Sequence, residues 1–242
     1  MEEYVMQKGQ LLYEGKAKRL YATEDSEILF VAYKDSATAF NGEKKAEIDG
    51  KGLLNNQITS LIFGKLEEAQ IASHFVKQIS DTEQLVRKVD IIPIEVVVRN
   101  IVAGSLAKRL GFEEGTVLKR PIVEFYYKDD NLGDPMITTE HIDVLGIATE
   151  EEVQALYTKA LQVNEVLKPM FAEVGVELID FKLEFGRTSD GEVLLADEIS
   201  PDTCRLWDVE TKRKLDKDVF RRDLGSITEV YEIILEKLGG TQ

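Results

Sequence analysis

Leu178-Ile-Asp-Phe-Lys-Leu-Glu-Phe-Gly186 alternates apolar and charged side chains with a period of two. This period is typical of a β-strand, because successive side chains of a strand point to opposite faces. Asp180, Lys182 and Glu184 would share one face. The opposite face would be apolar: Ile179, Phe181, Leu183 and Phe185. The stretch predicts a strand with one face in the core and three charges directed into one site, and a half-solvated strand without a function is the alternative.

A second strand follows this one along the chain. Ser189-Asp-Gly191 has the composition of a hairpin turn, and Val193-Leu-Leu-Ala-Asp-Glu198 is apolar until it ends in two carboxylates. A hairpin would bring Glu184 close to Asp197. Crowded carboxylates repel each other unless a cation joins them, and Mg²⁺ that also binds phosphate oxygens suits such a pair. The hairpin therefore predicts a magnesium-nucleotide site, with a solvated turn as the alternative.

Gly15-Lys16-Ala17-Lys18 is a candidate phosphate-binding turn. It lies between predicted strands within residues 11–31, where its amides and two ammonium groups would cover a triphosphate. The pattern G-x-x-x-x-G-K-[ST] of a Walker loop is absent from the sequence. An ordinary surface turn is the alternative interpretation.

Arg99 and Ser105 indicate a second anion site. Arg99 ends the strand predicted at residues 91–99, and Ser105 stands at the predicted N-cap of a short helix, residues 106–110. Free amides and the positive end of the helix dipole favour an anion there. Arg205 follows the carboxylate strand and would close on the same group with bidentate geometry. The three residues predict a phosphomonoester site. The alternative is a surface arginine beside an ordinary helix cap.

Other polar residues are less diagnostic. Asp134 lies in a predicted turn, and its carboxylate would either cap that turn or reach a metal. Lys128 is expected to face solvent. His74 and His141 are too isolated in the sequence to predict a zinc site.

Strands and helices are mixed without βαβ regularity, which predicts an α+β fold. Apolar spacings and a capping box predict three main helices: residues 52–69, 149–174 and 218–238, the last capped by Asp216. Further strands are expected near residues 75–79, 84–89 and 91–99. We expect two lobes, a nucleotide-covering lobe at residues 1–90 and a substrate- and metal-binding lobe at residues 91–242.

The composition is that of a globular protein, with 242 residues, 43% hydrophobic and 31% charged. A net charge of −15 argues against nucleic acid or an anionic membrane as a partner. The N-terminus lacks a secretory signal, and the most apolar run, Ile91–Val98, is too short to span a bilayer. Cys204, the only cysteine, is expected to be a packing residue in a reducing compartment. We expect a cytoplasmic protein.

Five ordered blocks together resemble the SAICAR synthetase family, the phosphoribosylaminoimidazole-succinocarboxamide synthases, over nearly the whole chain. The blocks are Tyr13-Glu-Gly-Lys-Ala-Lys18, Ile92-Pro-Ile-Glu-Val-Val-Val-Arg-Asn-Ile-Val-Ala-Gly-Ser105, Asp134-Pro-Met136, Leu178–Gly186, and Asp197-Glu-Ile-Ser-Pro-Asp202 running into Arg205-Leu-Trp-Asp208.

The resemblance implies a kinase-like N-terminal antiparallel sheet lobe and an ATP-grasp-like C-terminal lobe, with the nucleotide in the cleft. It also implies that ATP, L-aspartate and carboxyaminoimidazole ribonucleotide (CAIR) react to give SAICAR, ADP and phosphate, with Mg²⁺ as the cofactor. The expected partners are these small molecules, and a homodimer is compatible with the sequence.

The resemblance assigns site residues. The nucleotide and its magnesium would be held by Lys16, Ala17, Lys18, Lys128, Glu184 and Asp197. CAIR would be held by Arg99, Ser105, Asp180, Lys182 and Arg205. Asp180 would contact the ribose and Lys182 the reacting end, so these two are the catalytic candidates, and Asp134 would help a second ion. Asn41 departs from the acid found at its position in many relatives, which leaves the aspartate pocket unassigned.

Two other functions fit the same residues. A kinase-like phosphotransferase would release ADP without an amine substrate. A binding protein that had lost turnover would show gaps among the charged positions, and only Asn41 is such a gap.

Overall fold

The computed structural model describes residues 6–39 and 43–240, so Asn41 lies outside the described residues. The described chain forms a five-stranded sheet, a six-stranded sheet and a two-stranded hairpin, with six α-helices around them. Neighbouring strands within these sheets are antiparallel. The predicted α+β class is confirmed.

The N-terminal part supplies the five-stranded sheet and the hairpin. Its strands are β1 (Leu11–Glu14), β2 (Lys18–Ala22), β3 (Ile28–Tyr33), β4 (Ser36–Ala39), β5 (Lys44–Glu47), β6 (Phe75–Ser80) and β7 (Glu83–Arg87). The sheet has the order β1-β2-β3-β7-β6, and β4 pairs with β5. The predicted turn between β1 and β2 is present, whereas the β4–β5 hairpin was not predicted.

The C-terminal part supplies the six-stranded sheet. Its strands are β8 (Asp90–Ile101), β9 (Val117–Tyr127), β10 (Met136–Ile137), β11 (Val176–Arg187), β12 (Val193–Ala196) and β13 (Cys204–Asp208). The order is β10-β9-β8-β11-β12, and β13 pairs with the first half of β11. Strand β11, which contains the stretch Leu178–Gly186, is therefore paired along both edges.

Six helices complete the described chain: α1 (Lys51–Glu68), α2 (Gly104–Leu110), α3 (Thr139–Leu145), α4 (Glu150–Glu173), α5 (Asp218–Arg221) and α6 (Ile227–Lys237). The predicted capping box of α4 is present, with Thr149 N donating to the Glu152 carboxylate at 2.8 Å and Glu152 N donating to Thr149 Oγ1 at 3.2 Å. Within residues 6–39 and 43–240, no helix combines the length and apolar character needed to cross a membrane.

The single helix predicted at residues 218–238 is wrong. The chain forms α5 and α6 instead, because Asp223 (φ 53°) and Gly225 (φ 146°) lie between them with backbone angles that a right-handed helix does not allow. Ser226 caps α6 by accepting from Glu229 N at 3.3 Å. Asp216, the predicted cap, lies at the start of α5, where its carboxylate accepts from Asp218 N at 2.7 Å, and it has no such contact with α6.

One face of β11 packs into the main core. Three of its four predicted apolar residues are there, each at most 1% exposed: Phe181, Leu183 and Phe185. Ile179 belongs instead to a separate small cluster with Ile101, Ala103 and Trp207. The register of β11 against β13 shifts between Leu178 and Asp180, and this irregularity breaks the strict alternation.

The change from one sheet to the other falls between Arg87 and Asp90, where the two-lobe division was placed. Helix α1, although it precedes that point, packs Leu54, Ile58 and Ile62 into the same core as β8 and α6. Val31, Tyr33 and Val86 of the five-stranded sheet form a separate small cluster. The division into residues 1–90 and 91–242 remains a proposal, since α1 belongs by sequence to the first part and by packing to the second.

Phe181→Ala is expected to lower the free energy of unfolding by about 3–5 kcal/mol, because it removes a ring that is 1% exposed and leaves a cavity. Urea unfolding measures the loss. Phe112→Ala, at a ring 51% exposed, is the matched control and should change stability by less than about 1 kcal/mol. Equal losses in the two variants would contradict the central place of β11.

Candidate active site

A cleft of about 980 Å³ lies between the five-stranded and six-stranded sheets. Every site residue predicted from the sequence lines it: Lys16, Ala17, Lys18, Arg99, Ser105, Lys128, Asp134, Asp180, Lys182, Glu184, Asp197 and Arg205. Residues far apart in the sequence thus meet in one space.

Strand pairing aligns the charged faces of β8 and β11. Asp180 stands opposite Arg99, and Glu184 stands opposite Glu95. Paired residues of antiparallel strands point to the same face of the sheet, so these four side chains and Lys182 face the cleft. The charged face predicted from the period of β11 is present and extends to β8.

Arg99 is 3% exposed, and each nitrogen of its guanidinium group donates a hydrogen bond. Its Nη1 donates to Asp180 Oδ2 at 2.7 Å, and its Nε donates to Glu124 Oε2 at 2.7 Å. Its Nη2 donates to Ser105 Oγ at 3.0 Å and to Tyr126 Oη at 3.2 Å. Burial alone would lower the pKa of Arg99, but Asp180 and Glu124 raise it. The guanidinium is held charged and in one orientation.

Arg205 shares Asp180 with Arg99. Its Nη1 donates to both carboxylate oxygens of Asp180, at 3.0 and 2.9 Å, and its Nε donates to Asp218 at 3.1 Å. The guanidinium lies against Gly104, where a Cβ atom would be 2.5 Å from Nη2 and 2.8 Å from Cζ. The glycine therefore makes room for this arginine.

Ser105 is not the N-cap of the following helix, contrary to the prediction. Ala103 has extended backbone angles and is the N-cap, so Ser105 lies inside the first turn of α2. Its hydroxyl accepts from Arg99 instead of capping the helix. The predicted proximity of Ser105 to Arg99 is confirmed.

Lys182 and Lys128 neutralise carboxylates at the other end of the β8–β11 face. Lys182 Nζ lies 2.7 Å from Glu95 Oε1 and 3.2 Å from Glu184 Oε1. Lys128 Nζ lies 2.5 Å from Glu184 Oε2, so it does not simply face solvent as predicted. Burial would lower the pKa of Lys182, but Glu184 and Glu95 raise it above its usual range. Lys182 is a fixed cation.

Asp197 follows β12 in a left-handed conformation, with φ 60°. The hairpin pairs Glu184 with Ala196, the residue before Asp197, as the sequence predicts. Asp197 is ion-paired with Lys18, whose ammonium also lies 3.2 Å from Glu198. Burial would raise the pKa of Asp197, but Lys18 and Lys182 outweigh it and hold that pKa at about 2.

The turn between β1 and β2 reaches across the cleft. Lys16 Nζ donates to Asp130 Oδ1 at 2.7 Å, which joins the turn to the segment between β9 and β10. Lys34 N donates to Ala17 O at 2.7 Å and fixes the base of the turn. Asp134 lies farther along the segment that carries Asp130, with φ 49°.

Glu184 and Asp197 are hard oxygen ligands on adjacent strands, and lysines neutralise both. Within the described residues, no group of three or more His, Cys, Asp or Glu side chains is arranged to hold a metal ion. Two carboxylates suit Mg²⁺ when phosphate and water complete its shell. The pair therefore fits a magnesium ion that arrives with a nucleotide, and it does not form a metal site by itself.

Sequence reasoning missed several partners of the site. Glu95 interrupts an apolar run and shares the period of Arg99, so its signal was present in β8. Glu124, on β9, had no such signal because its partner Arg99 lies on another strand. Asp202 and Lys51 pair at 2.7 Å although they are 151 residues apart. Only the tertiary fold brings such pairs together.

Cys204 lines the cleft but is 3% exposed. Burial raises the pKa of its thiol above the usual range. The expectation of a packing residue agrees with this position, since a nucleophile needs the thiolate form.

Comparison with known proteins gives one consistent result. The family model for SAICAR synthetase matches residues 11–238. The phosphoribosylaminoimidazole-succinocarboxamide synthase of Lysinibacillus sphaericus (strain C3-41) is 78% identical over 235 residues, covering 97% of this chain and 100% of the relative.

Two solved structures share the fold over nearly their full length. Phosphoribosylaminoimidazole-succinocarboxamide synthase from Ehrlichia chaffeensis has a TM-score of 0.93 and 45% identity, covering 96% of this chain and 100% of that one. A SAICAR synthetase (Type-2) in complex with ADP has a TM-score of 0.92 and 52% identity, covering 95% of this chain and 98% of that one.

Asp216 is a buried carboxyl group near Arg205, and its ionisation makes the free energy of unfolding depend on pH. Its carboxylate accepts from Leu206 N at 2.8 Å and from Asp218 N at 2.7 Å. Burial and the charge of Asp218 raise the pKa of Asp216 to about 7. A raised pKa favours the protonated form in the folded state, so this contribution to stability is present below pH 4 and is lost as pH rises through 7.

Asp216→Asn should remove that dependence. Between pH 5 and 7.5, the wild-type free energy of unfolding should fall by about 2 kcal/mol more than that of the variant. Urea unfolding at both pH values measures the difference. Asp143→Asn, at an exposed position on α3, is the control and should follow the wild type. Parallel pH profiles for wild type and Asp216→Asn would contradict the assignment.

Proposed function

Because this chain belongs to the SAICAR synthetase family, we propose that it joins L-aspartate to the carboxylate of CAIR. Family membership makes it an ATP-dependent ligase of purine biosynthesis, and the proposed products are SAICAR, ADP and phosphate. The observation that carries the proposal is the family match over residues 11–238 together with a cleft lined by every residue expected for this reaction.

Arg99, Ser105 and Arg205 are the proposed site for the 5′-phosphate of CAIR. Two guanidinium groups converge at Asp180, the Ser105 hydroxyl accepts from one of them, and bidentate guanidinium groups suit phosphate oxygens. Asp180 would then be free to accept from the ribose hydroxyls. Binding at this remote end would align the imidazole carboxylate for reaction.

Lys16, Ala17, Lys18 and Lys128 are the proposed nucleotide-binding residues. The related SAICAR synthetase in complex with ADP supports nucleotide binding in a chain of this fold. Glu184 and Asp197 would hold magnesium, with Asp134 near a second ion. Magnesium, when bound, would neutralise charge on the transferring phosphoryl group.

Lys182 is proposed to stabilise the reacting carboxylate. A carboxylate is a poor electrophile for an amine, so an oxygen of CAIR would first attack the γ-phosphorus and expel ADP. The aspartate amine would then attack the acyl carbon of this acyl phosphate, losing a proton and expelling phosphate. Lys182, with its pKa above the usual range, stays protonated and would act by its charge, not as the base for the amine.

The cytoplasm remains the proposed location, and a homodimer remains a proposal. Neither bears on the chemistry of the cleft, whose proposed residues come from a single chain.

ADP release tests the proposed function directly. A coupled assay with each substrate omitted in turn should show multiple-turnover release only when ATP, CAIR and L-aspartate are all present, because without aspartate the acyl phosphate is not consumed. Asp197→Asn should lower kcat by a factor on the order of 100 or more, because it removes charge next to the transferring phosphoryl group. Asp143→Asn is the exposed control. Multiple-turnover ADP release without aspartate, or a normal rate for Asp197→Asn at saturating magnesium, would count against the proposal.

Gly104→Ala should raise the KM for CAIR by about tenfold or more, because the new Cβ displaces the guanidinium of Arg205 from its proposed phosphate contact. Gly111→Ala is the matched control: it has a similar positive φ of 69°, compared with 54° at Gly104, but no atom within 4 Å of its Cβ position. Steady-state kinetics should show an unchanged KM for CAIR in the control. Equal effects in both variants would assign the change to backbone strain.

A further inference from the structure

Lys217 and Arg221 are cleft cations to which the proposed function assigns no role. Lys217 immediately precedes α5 and Arg221 ends it, so the two side chains, four residues apart, can lie on the same side of this turn. Their side chains are 14% and 29% exposed. They form a cationic corner at the edge of the cleft.

Arg221 is paired with Asp218 at 2.7 Å, whereas positive charge exceeds negative charge around Asp202, the partner of Lys217. The Asp202 carboxylate accepts hydrogen bonds from Lys51 Nζ at 2.7 Å, Lys217 Nζ at 3.2 Å and Tyr231 Oη at 2.5 Å. Lys51 is fully buried, so two ammonium groups share one carboxylate largely away from water. Burial lowers the pKa of Lys217, and Asp202 does not restore it because Lys51 and Arg221 repel the charged ammonium. A bound anion would supply the missing charge.

The corner adjoins the reacting end of the cleft. Lys182 N donates to Thr203 O at 2.9 Å, which places the loop of Asp202 beside β11 at the level of Lys182. The pairing of Asp180 with Arg99 lies two residues farther along the same strand. An anion held by Lys217 would therefore sit beside the carboxylate that is to react.

We propose that Lys217 and Arg221 bind the carboxylates of the amino acid that supplies the amine. The inference rests on the proposed function, which needs a dicarboxylic amino acid next to the reacting carboxylate of CAIR. The triphosphate and the 5′-phosphate have their own proposed cations elsewhere in the cleft. Two cations on one side of a turn match the two carboxylates of L-aspartate.

The same two cations would bind a phosphate group as well as a carboxylate. The 5′-phosphate of CAIR is the other source of an anion. Asp218 accepts from Arg221 at 2.7 Å and from Arg205 at 3.1 Å, so Arg221 lies near the proposed phosphate site. Separate KM values for the two substrates distinguish the sources.

Steady-state kinetics of Lys217→Gln and Arg221→Gln test the proposal. Each variant should raise the KM for L-aspartate by about tenfold or more, the loss expected for one charged hydrogen bond, and leave the KM for CAIR and ATP within about twofold. Lys217→Arg, which keeps the charge, should recover part of the loss. Succinate, which has two carboxylates and no amine, should compete with aspartate in the wild type and much less in the Gln variants.

Arg222→Gln is the matched control, because Arg222 is next in the chain but pairs with Glu114 at 2.9 Å and does not line the cleft. It should leave all three KM values unchanged, and equal melting temperatures would show that each variant is folded. An unchanged KM for aspartate in both Gln variants, or a rise confined to CAIR, would overturn the inference while the proposed function stands. Multiple-turnover ADP release by the wild type without aspartate would overturn both.

Discussion

Asp180 lies between the guanidinium groups of Arg99 and Arg205, and the charged face of the cleft is organised around this buried arrangement. Removing one partner of a buried ion pair leaves the other uncompensated, at a cost of about 3–5 kcal/mol. Each of the three charges therefore depends on the other two. Their common position is fixed by β11, which carries Asp180 toward the cleft and Phe181 into the core.

The same strand explains why cations and carboxylates alternate along the cleft. Lys182 lies between Glu95 and Glu184, and Lys18 pairs with Asp197. An anionic ligand must exchange places with carboxylates that these cations already bind. An uncharged ligand cannot make this exchange, so the cleft favours phosphates and carboxylates by electrostatics as well as by shape.

Local periodicity was sufficient to predict β11 and helix α4. The meeting of the twelve site residues in one cleft followed from the family resemblance and not from periodicity. Periodicity failed where the backbone departs from regular geometry. The irregularity near Leu178 moved Ile179 to another cluster, and the positive φ at Asp223 and Gly225 divided the last helix. Pairs such as Lys51 with Asp202 could not be predicted, because nothing local to either residue indicates its partner.

Cys204 has a practical consequence for work on this protein. Its thiol is the only one in the chain, it is buried, and burial suppresses the thiolate that alkylating reagents require. A cysteine introduced at an exposed position would react far faster than Cys204. Fluorescent or spin labels can therefore be attached at one chosen site on either sheet without first replacing the native sulfur. With a second introduced cysteine on the other sheet, a pair of labels would make distances across the cleft measurable in a chain whose cleft residues are unaltered.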